Sequence, residues 1–336
     1  VASQTTLDMY TAEITIQALP TVEPMTDVSI CEDQLVNGAY CIDATAANYD
    51  ELEWTTTGTG TFDDNTIEDP CYTPSADDIA AAFVELCLTA QPIDPCTVAA
   101  TECFNLSVQA LPTAFAGDDA TICEDECFTF ADATFTNYDD LMWYTLGGDG
   151  TFDDETIENP EYCPGMTDIS NGSVEICVIA EPIDPCTIQA EDCMVLTIAP
   201  SQLISIPAGW SGISGYIQPF DSDIETVMAP VIDELILMYN PISGIFAPDY
   251  NINSLGNWNS QEGYVIKVSN SVELNICGNP LAGNSIELTD GWNLVPVTVE
   301  GSVAVADAVA DISDELIIVK EVAGYLMYYP DYGIQT

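Results

Sequence analysis

The chain is its own alignment: of its 336 residues, the stretch from Thr21 to Pro112 reappears from Thr113 to Pro200. Ile30-Cys31-Glu32-Asp33 returns as Ile122-Cys123-Glu124-Asp125, and Asn48-Tyr49-Asp50 with Trp54 returns as Asn137-Tyr138-Asp139 with Trp143. Gly60-Thr61-Phe62-Asp63-Asp64 becomes Gly150-Thr151-Phe152-Asp153-Asp154, and Pro92-Ile93-Asp94-Pro95-Cys96-Thr97 becomes Pro182-Ile183-Asp184-Pro185-Cys186-Thr187. A fixed period constrains the fold strongly, because each copy is one structural unit repeated along the chain. Within a copy, short alternating runs such as Phe83 to Leu88 and Phe104 to Val108 are separated by Gly, Pro and Asp turns. That pattern predicts an antiparallel β-sandwich, with Trp54 and Trp143 in its core, packed on a disulfide. Ile14 to Thr21 also matches Leu106 to Thr113. Residues 1–20 therefore read as the last strand of a preceding or partner sandwich, and a lone strand needs a partner.

From Ser201 a different duplication begins. Ile204 to Trp210 parallels Ile286 to Trp292, Asp233-Glu234-Leu235-Ile236 parallels Asp314-Glu315-Leu316-Ile317, and Pro248-Asp249-Tyr250 parallels Pro330-Asp331-Tyr332. Ile224, Val227, Met228 and Val231 follow helical spacing behind a Ser222/Glu225 capping box, and Val305, Ala308, Val309 and Ile312 repeat the offsets. Strands are expected at Gly263 to Val268 and Val272 to Cys277. The organisation expected is thus repeat 1 at 21–112, repeat 2 at 113–200, and 201–336 in two units, 201–285 and a shorter 286–336. Two readings fit those ends: a window of a longer repetitive polypeptide, or a subunit completed by neighbours through strand addition.

Thirteen cysteines point to a disulfide framework in an oxidising setting. Cys41 and Cys71, and Cys127 and Cys163, are private to their repeats and pair most simply with each other. Cys87 and Cys103 flank a hairpin symmetrically, as do Cys177 and Cys193. That leaves Cys31 for Cys96 and Cys123 for Cys186. A competing bridge from Cys41 to Cys87 is disfavoured by Phe130 at the matching place in repeat 2. Cys277 has no evident partner.

The Ile-Cys-Glu opening, the Trp followed by Gly-x-Gly-Thr-Phe, the Pro-x-Tyr-x-Pro and the closing Pro-Cys hairpin resemble the immunoglobulin-like (PKD-like) repeats of long secreted surface proteins of Bacteroidota. The likeness covers roughly residues 1–200. It implies immunoglobulin-like sandwiches, a spacer role in stalks or adhesins, and export by the type IX route; the Gly-Trp units resemble modules of the same proteins. The fold class expected is mainly β: tandem disulfide-rich immunoglobulin-like sandwiches followed by an α+β domain of two Gly-Trp repeats.

Charge narrows function. With 56 acidic residues against two lysines, no arginine and no histidine, the formal charge is −54. Phosphate-bearing partners need more cations than Lys267 and Lys320, so nucleic acid and anionic membranes are excluded. Histidine-dependent catalysis and histidine-ligated zinc sites lack their residues. No apolar run approaches the length of a membrane span. The reading is an extracellular, non-enzymatic structural protein that associates with itself. The alternative is an adhesin whose last domain binds glycans through aromatics such as Tyr328, Tyr329 and Tyr332; a carboxylate-pair hydrolase is a third class. Acidic turns suggest Ca²⁺, with Asp63, Asp64, Asp153 and Asp154 in loops, and Asp118 and Asp119, like Glu124 and Asp125, beside the junction of the two repeats. Asp also favours turns without any ion. Asn105 and Asn171 head Asn-x-Ser sequons. Two lysines leave trypsin two cleavage sites, so the intact chain is expected to persist during trypsin digestion in calcium. Rapid loss of the full-length band on a gel would count against selection for protease resistance.

Overall fold

The computed structural model describes residues 16–81, 83–281, 285–301, 303–324, 326–332 and 334–335. The expected orphan strand over 1–20 lies mostly outside the described residues. Of that stretch, residues 16–20 are described and belong to no strand.

Repeat 1 is built on one four-stranded sheet in the order Val28–Cys31, Ala100–Gln109, Val84–Pro92, Tyr49–Thr56. A three-stranded sheet, Tyr40–Cys41, Cys71–Thr73 and Thr61–Phe62, faces it. Repeat 2 reproduces the arrangement with Ala120–Cys123, Ala190–Ala199, Ser173–Pro182 and Tyr138–Thr145, and with Phe128–Thr129, Glu161–Cys163 and Thr151–Phe152. Period-two alternation explains the layers. Val84, Leu86, Leu88 and Ala90 are buried between exposed or half-buried neighbours, and they share a core with Trp54, Phe104, Leu106 and Tyr72. The counterpart core holds Trp143, Ile176, Val178, Met194, Leu196 and Tyr162.

Both tryptophans are core residues, but they pack on rings rather than on sulfur. Trp54 meets Phe62 and Phe104 at centroid distances of 5.9 and 6.4 Å. The Cys87–Cys103 bridge occupies the opposite face of the sheet, because Cys87 alternates with Leu86 and Leu88 and pairs across from Thr55. The recurring Asn48 and Asn137 take left-handed backbone conformations (φ 58° and 56°) just before the long strands that carry the tryptophans.

A buried carboxylate explains the Gly-x-Gly-Thr-Phe motif. Asp78 is 6% exposed and accepts hydrogen bonds from the N–H groups of Thr59, Gly60 and Ser75 and from the Tyr72 hydroxyl, at 2.8 to 3.0 Å. A Cβ on Gly60 would lie 2.4 Å from the Thr73 carbonyl oxygen, so only glycine lets the loop close on Tyr72. Repeat 2 builds the same cradle from Asp168, Gly150, Gly165 and Tyr162.

Beyond Ser201 strands again build sheets, with short helical turns between them. A five-stranded sheet runs Gly209–Ile213, Tyr264–Val268, Leu235–Asn240, Gly244–Ala247, Ile252–Asn253, and a three-stranded one runs Ser201–Ile206, Val272–Pro280, Ile217–Pro219. The expected helix is Ile224–Met228, with Ile224, Val227 and Met228 buried. Its cap is Asp223 rather than Ser222, accepting from the Glu225 and Thr226 N–H groups, and Pro230 turns the remainder into a 3-10 segment, Ala229–Val231. In 286–336 a helix Val305–Ala308 and 3-10 turns Ala310–Ile312 and Pro330–Tyr332 follow in the same order, while Trp292 lies in no strand.

Burial acts to raise the pKa of Asp78, yet the bonds from Ser75, Thr59, Tyr72 and Gly60 outweigh it and hold the carboxyl below its usual range. A depressed folded-state pKa contributes stability above the unfolded value and loses it as pH falls through the folded value. Asp78→Asn is therefore expected to cost about 2 kcal/mol at neutral pH. That cost should shrink as pH drops below roughly 3.9, which thermal melts of both proteins across pH 2 to 7 measure.

Candidate functional site

The acidic turns are where the loops are tied to themselves. Asp63 Oδ1 accepts from the N–H groups of Asp64 and Cys71, both at 2.8 Å, and Asp64 Oδ1 accepts from the Thr66 N–H and hydroxyl at 2.9 and 2.6 Å. Asp153 and Asp154 repeat this with Glu161 and Thr156. The Thr66 and Thr156 hydroxyls, and then their N–H groups, hold Asp64 and Asp154 below the usual carboxylate range. Asp119 accepts from the Val195 N–H at 2.8 Å, and Asp118 is exposed beside it. Glu124 and Asp125 are carried to the other end of the strand Ala120–Cys123, so the two acidic pairs are separated rather than gathered at one junction. Among the described residues, the sets of three Cys or acidic ligand atoms within 4.8 Å of one another are Cys31–Asp33–Cys186, Glu85–Cys87–Cys103 and Glu175–Cys177–Cys193. In each set two members are sulfurs already bonded to one another.

The aromatics proposed for sugar stacking are less available than expected. Tyr328 and Tyr329 are half-buried in the strand Met327–Tyr329, and the Tyr332 side chain lies outside the described residues. Trp210, which is exposed, carries the Lys267 ammonium 5.3 Å from its ring centroid. Of the sequon asparagines, Asn105 sits in the strand Ala100–Gln109 and Asn171 is exposed at the end of the helix Met166–Asn171.

The distinctive chemistry is at the seams between repeats. Four expected bridges form: Cys41–Cys71, Cys87–Cys103, Cys127–Cys163 and Cys177–Cys193. Cys31 does not bond Cys96, nor Cys123 Cys186. Cys31 bonds Cys186 in the following repeat, and Cys123 bonds Cys277 in the chain beyond it, across 155 and 154 residues of sequence.

The reason is strand direction. Val28–Cys31 runs parallel to the last strand of its own repeat, with Cys31 opposite Gln109, so Cys31 reaches the end at which the chain leaves. Only Ala110, Leu111 and Pro112 separate that strand from the next repeat. Cys186 Sγ lies 3.4 Å from the Gln109 carbonyl oxygen. The next residue of the motif continues the clamp: the Leu111 N–H donates to Glu32 at 3.4 Å, and its carbonyl accepts from the Asn137 side chain at 3.2 Å. At the second seam Cys123 stands opposite Ala199, Pro200 alone links two strands, and Cys277 stands opposite Ser201. Glu124 there accepts from both the N–H and the hydroxyl of Ser201, at 3.1 and 3.0 Å. Asn275 reaches Asp125 at 2.7 Å. Ile-Cys-Glu is therefore a junction clamp, in which Cys forms the covalent tie and Glu accepts from the linker, at Leu111, or from the residue just after it, Ser201.

Sequence reasoning missed this because pairing was sought within repeats. One signal was present: Cys277, left over inside one unit, implied a bond between units.

No protein-family model matches the chain, and no curated protein sequence does either. Among solved structures it is similar to mouse cadherin-23 EC22-24, with 13% identity, a TM-score of 0.36 and 78% of this chain against 89% of that one. It is also similar to Drosophila N-cadherin EC1-4 (14%, TM-score 0.35), covering 54% of this chain and half, 50%, of that one. Protocadherin gamma B2 domains 3-6 align at 11% identity and a TM-score of 0.34, over 77% of this chain and 72% of that one. Values of this size assign the chain to no family and add no weight to any function.

Non-reducing digestion with mass spectrometry is expected to give Cys31–Cys186 and Cys123–Cys277 peptides; a Cys31–Cys96 peptide as the main product would refute the clamp. Glu124→Ala, which removes a charged acceptor from Ser201, should lower stability by about 2 kcal/mol in chemical denaturation.

Proposed function

We propose that the chain is an extracellular structural protein, a length of fibre or stalk whose successive units are locked end to end. The observation that carries this reading is the pair of disulfides that cross from one unit into the next. Units joined by a single flexible linker move relative to one another by default. Here each seam has two covalent connections, a peptide linker of one to three residues and a disulfide, and between them hydrogen bonds to Glu32 from the linker residue Leu111 or to Glu124 from Ser201, the residue after the linker. In the chain-entropy view, closing loops of this length contributes about 5 kcal/mol each, against about 3 for a 16-residue hairpin loop. The larger mechanical effect is the loss of a hinge.

Six disulfides favour an oxidising, extracellular setting. No helix among the described residues is long and apolar enough to cross a membrane. In this reading the organisation is two sandwiches, at 21–112 and 113–200, followed by paired units over 201–336. Calcium in this reading binds at the acidic turns, through Asp63 and Asp64, Asp118 and Asp119, and Asp153 and Asp154, and offsets a surface of charge −54. Growth by strand addition is supported by the match of Ile14 to Thr21 with Leu106 to Thr113.

The test replaces Cys31, Cys186, Cys123 and Cys277 with serine together. Small-angle scattering and electron microscopy are expected to show a broad spread of bend angles in place of one stiff shape, with circular dichroism still reporting folded sheets. Identical shape distributions for the two proteins would overturn the reading.

A further inference from the structure

Twelve of the thirteen cysteines are paired, and the remaining one, Cys96, occupies the place that Cys186 holds in repeat 2. The correspondence is geometric as well as sequential. Both follow a cis Asp-Pro bond, and both turn back on the isoleucine three residues earlier, with N–H to carbonyl distances of 2.9 Å (Cys96 to Ile93) and 3.0 Å (Cys186 to Ile183). Cys186 Sγ lies 3.4 Å from the carbonyl oxygen of Gln109; Cys96 Sγ lies 3.6 Å from that of Gln17. Gln17 is the counterpart of Gln109 in the match between Ile14–Thr21 and Leu106–Thr113. In repeat 2 the place beside Gln109 is filled by Cys31, held opposite it by a parallel strand. Beside Gln17 none of the chain's own cysteines is in position to do this, because the other twelve are bonded elsewhere.

We infer that Cys96 is an acceptor site for a further unit: it forms a disulfide with the cysteine that ends the equivalent short strand of another sandwich, brought beside Gln17. The partner's chemistry follows from the two seams already present. It brings a short apolar strand ending in Cys, opposite Gln17, and then a Glu placed to accept from the N–H of Leu19, the counterpart of Leu111. The bond forms by exchange. The Cys96 thiolate attacks the disulfide of a protein oxidant of the export compartment, giving a mixed disulfide. The partner's thiolate then displaces the oxidant, which leaves as a dithiol carrying the two electrons and two protons. The inference rests on the seams being stapled, and extends the same linkage one unit toward the N-terminus.

The test uses native protein taken from its source without reductant, blocked with N-ethylmaleimide and digested for mass spectrometry. The expected result is Cys96 in a disulfide with a peptide of the Ile-Cys-Glu type. Cys96 recovered as the maleimide adduct, or bonded only to a small thiol, overturns the inference. Should Cys31–Cys186 and Cys123–Cys277 be missing from the same digest, the stapled-seam reading fails as well; their presence beside an alkylated Cys96 defeats this inference alone. Electrophoresis with and without reductant identifies the source of the partner. A mass that falls on reduction means a separate polypeptide, and an unchanged mass means another unit of the same one. As an independent check, the 336-residue chain refolded by itself should titrate one thiol per molecule, absent in Cys96→Ser. A titre of zero in the unmutated monomer would also overturn the inference.

Discussion

Much of this architecture depends on one pairing choice: the four-residue strand that ends in Cys31 or Cys123 lies parallel, not antiparallel, to the last strand of the same sandwich. An antiparallel partner would leave its final residue at the end where the chain came in. A parallel one delivers that residue to the end where the chain goes out. That residue, the Cys, and the Glu that follows it therefore meet the next unit, and a local ladder decides which units are joined.

The charge sets the other boundary. A surface of net −54 gains little from ion pairs, so cohesion comes from aromatic and aliphatic cores, from carboxylates fed by backbone N–H groups, and from disulfides. Asp78 and Asp168 show how a carboxylate can be buried without a cation: the glycine loop brings N–H donors and a tyrosine hydroxyl to both oxygens. The exposed aspartates do the same on a smaller scale, each fastening its own turn. The acidic turns that suggest metal chemistry in the sequence also fasten their own loops in the fold. Tyr264, buried against Trp258, shows the same economy from the other side: burial pushes its hydroxyl pKa up to about 12, so it stays neutral while its oxygen takes the Asn259 N–H at 2.7 Å.

Much of the fold was legible because its signals are local. Alternation in Val84 to Ala90 fixes which residues face inward, and the hairpin symmetry of Cys87 and Cys103 fixes their register; the structure sets them directly opposite one another. The helix Ile224–Met228 was legible through its apolar spacing and displaced only by one residue at its cap. The seams were not legible to the same degree. Cys31 with Cys96 and Cys31 with Cys186 are equally good pairings on spacing alone, since both candidates sit in the same hairpin of adjacent repeats.

By itself, then, the amino-acid order determined the period, the strands, the inward faces and the private bridges, all of which follow from contacts within about 90 residues. Only the tertiary structure decided which unit each remaining cysteine belongs to. The direction of a short strand relative to a neighbour some 75 residues away leaves no trace in periodicity, because parallel and antiparallel strands of four residues show the same alternation. The same geometry turned Cys96 from an internal partner of Cys31 into a thiol whose counterpart in repeat 2 is already a covalent joint.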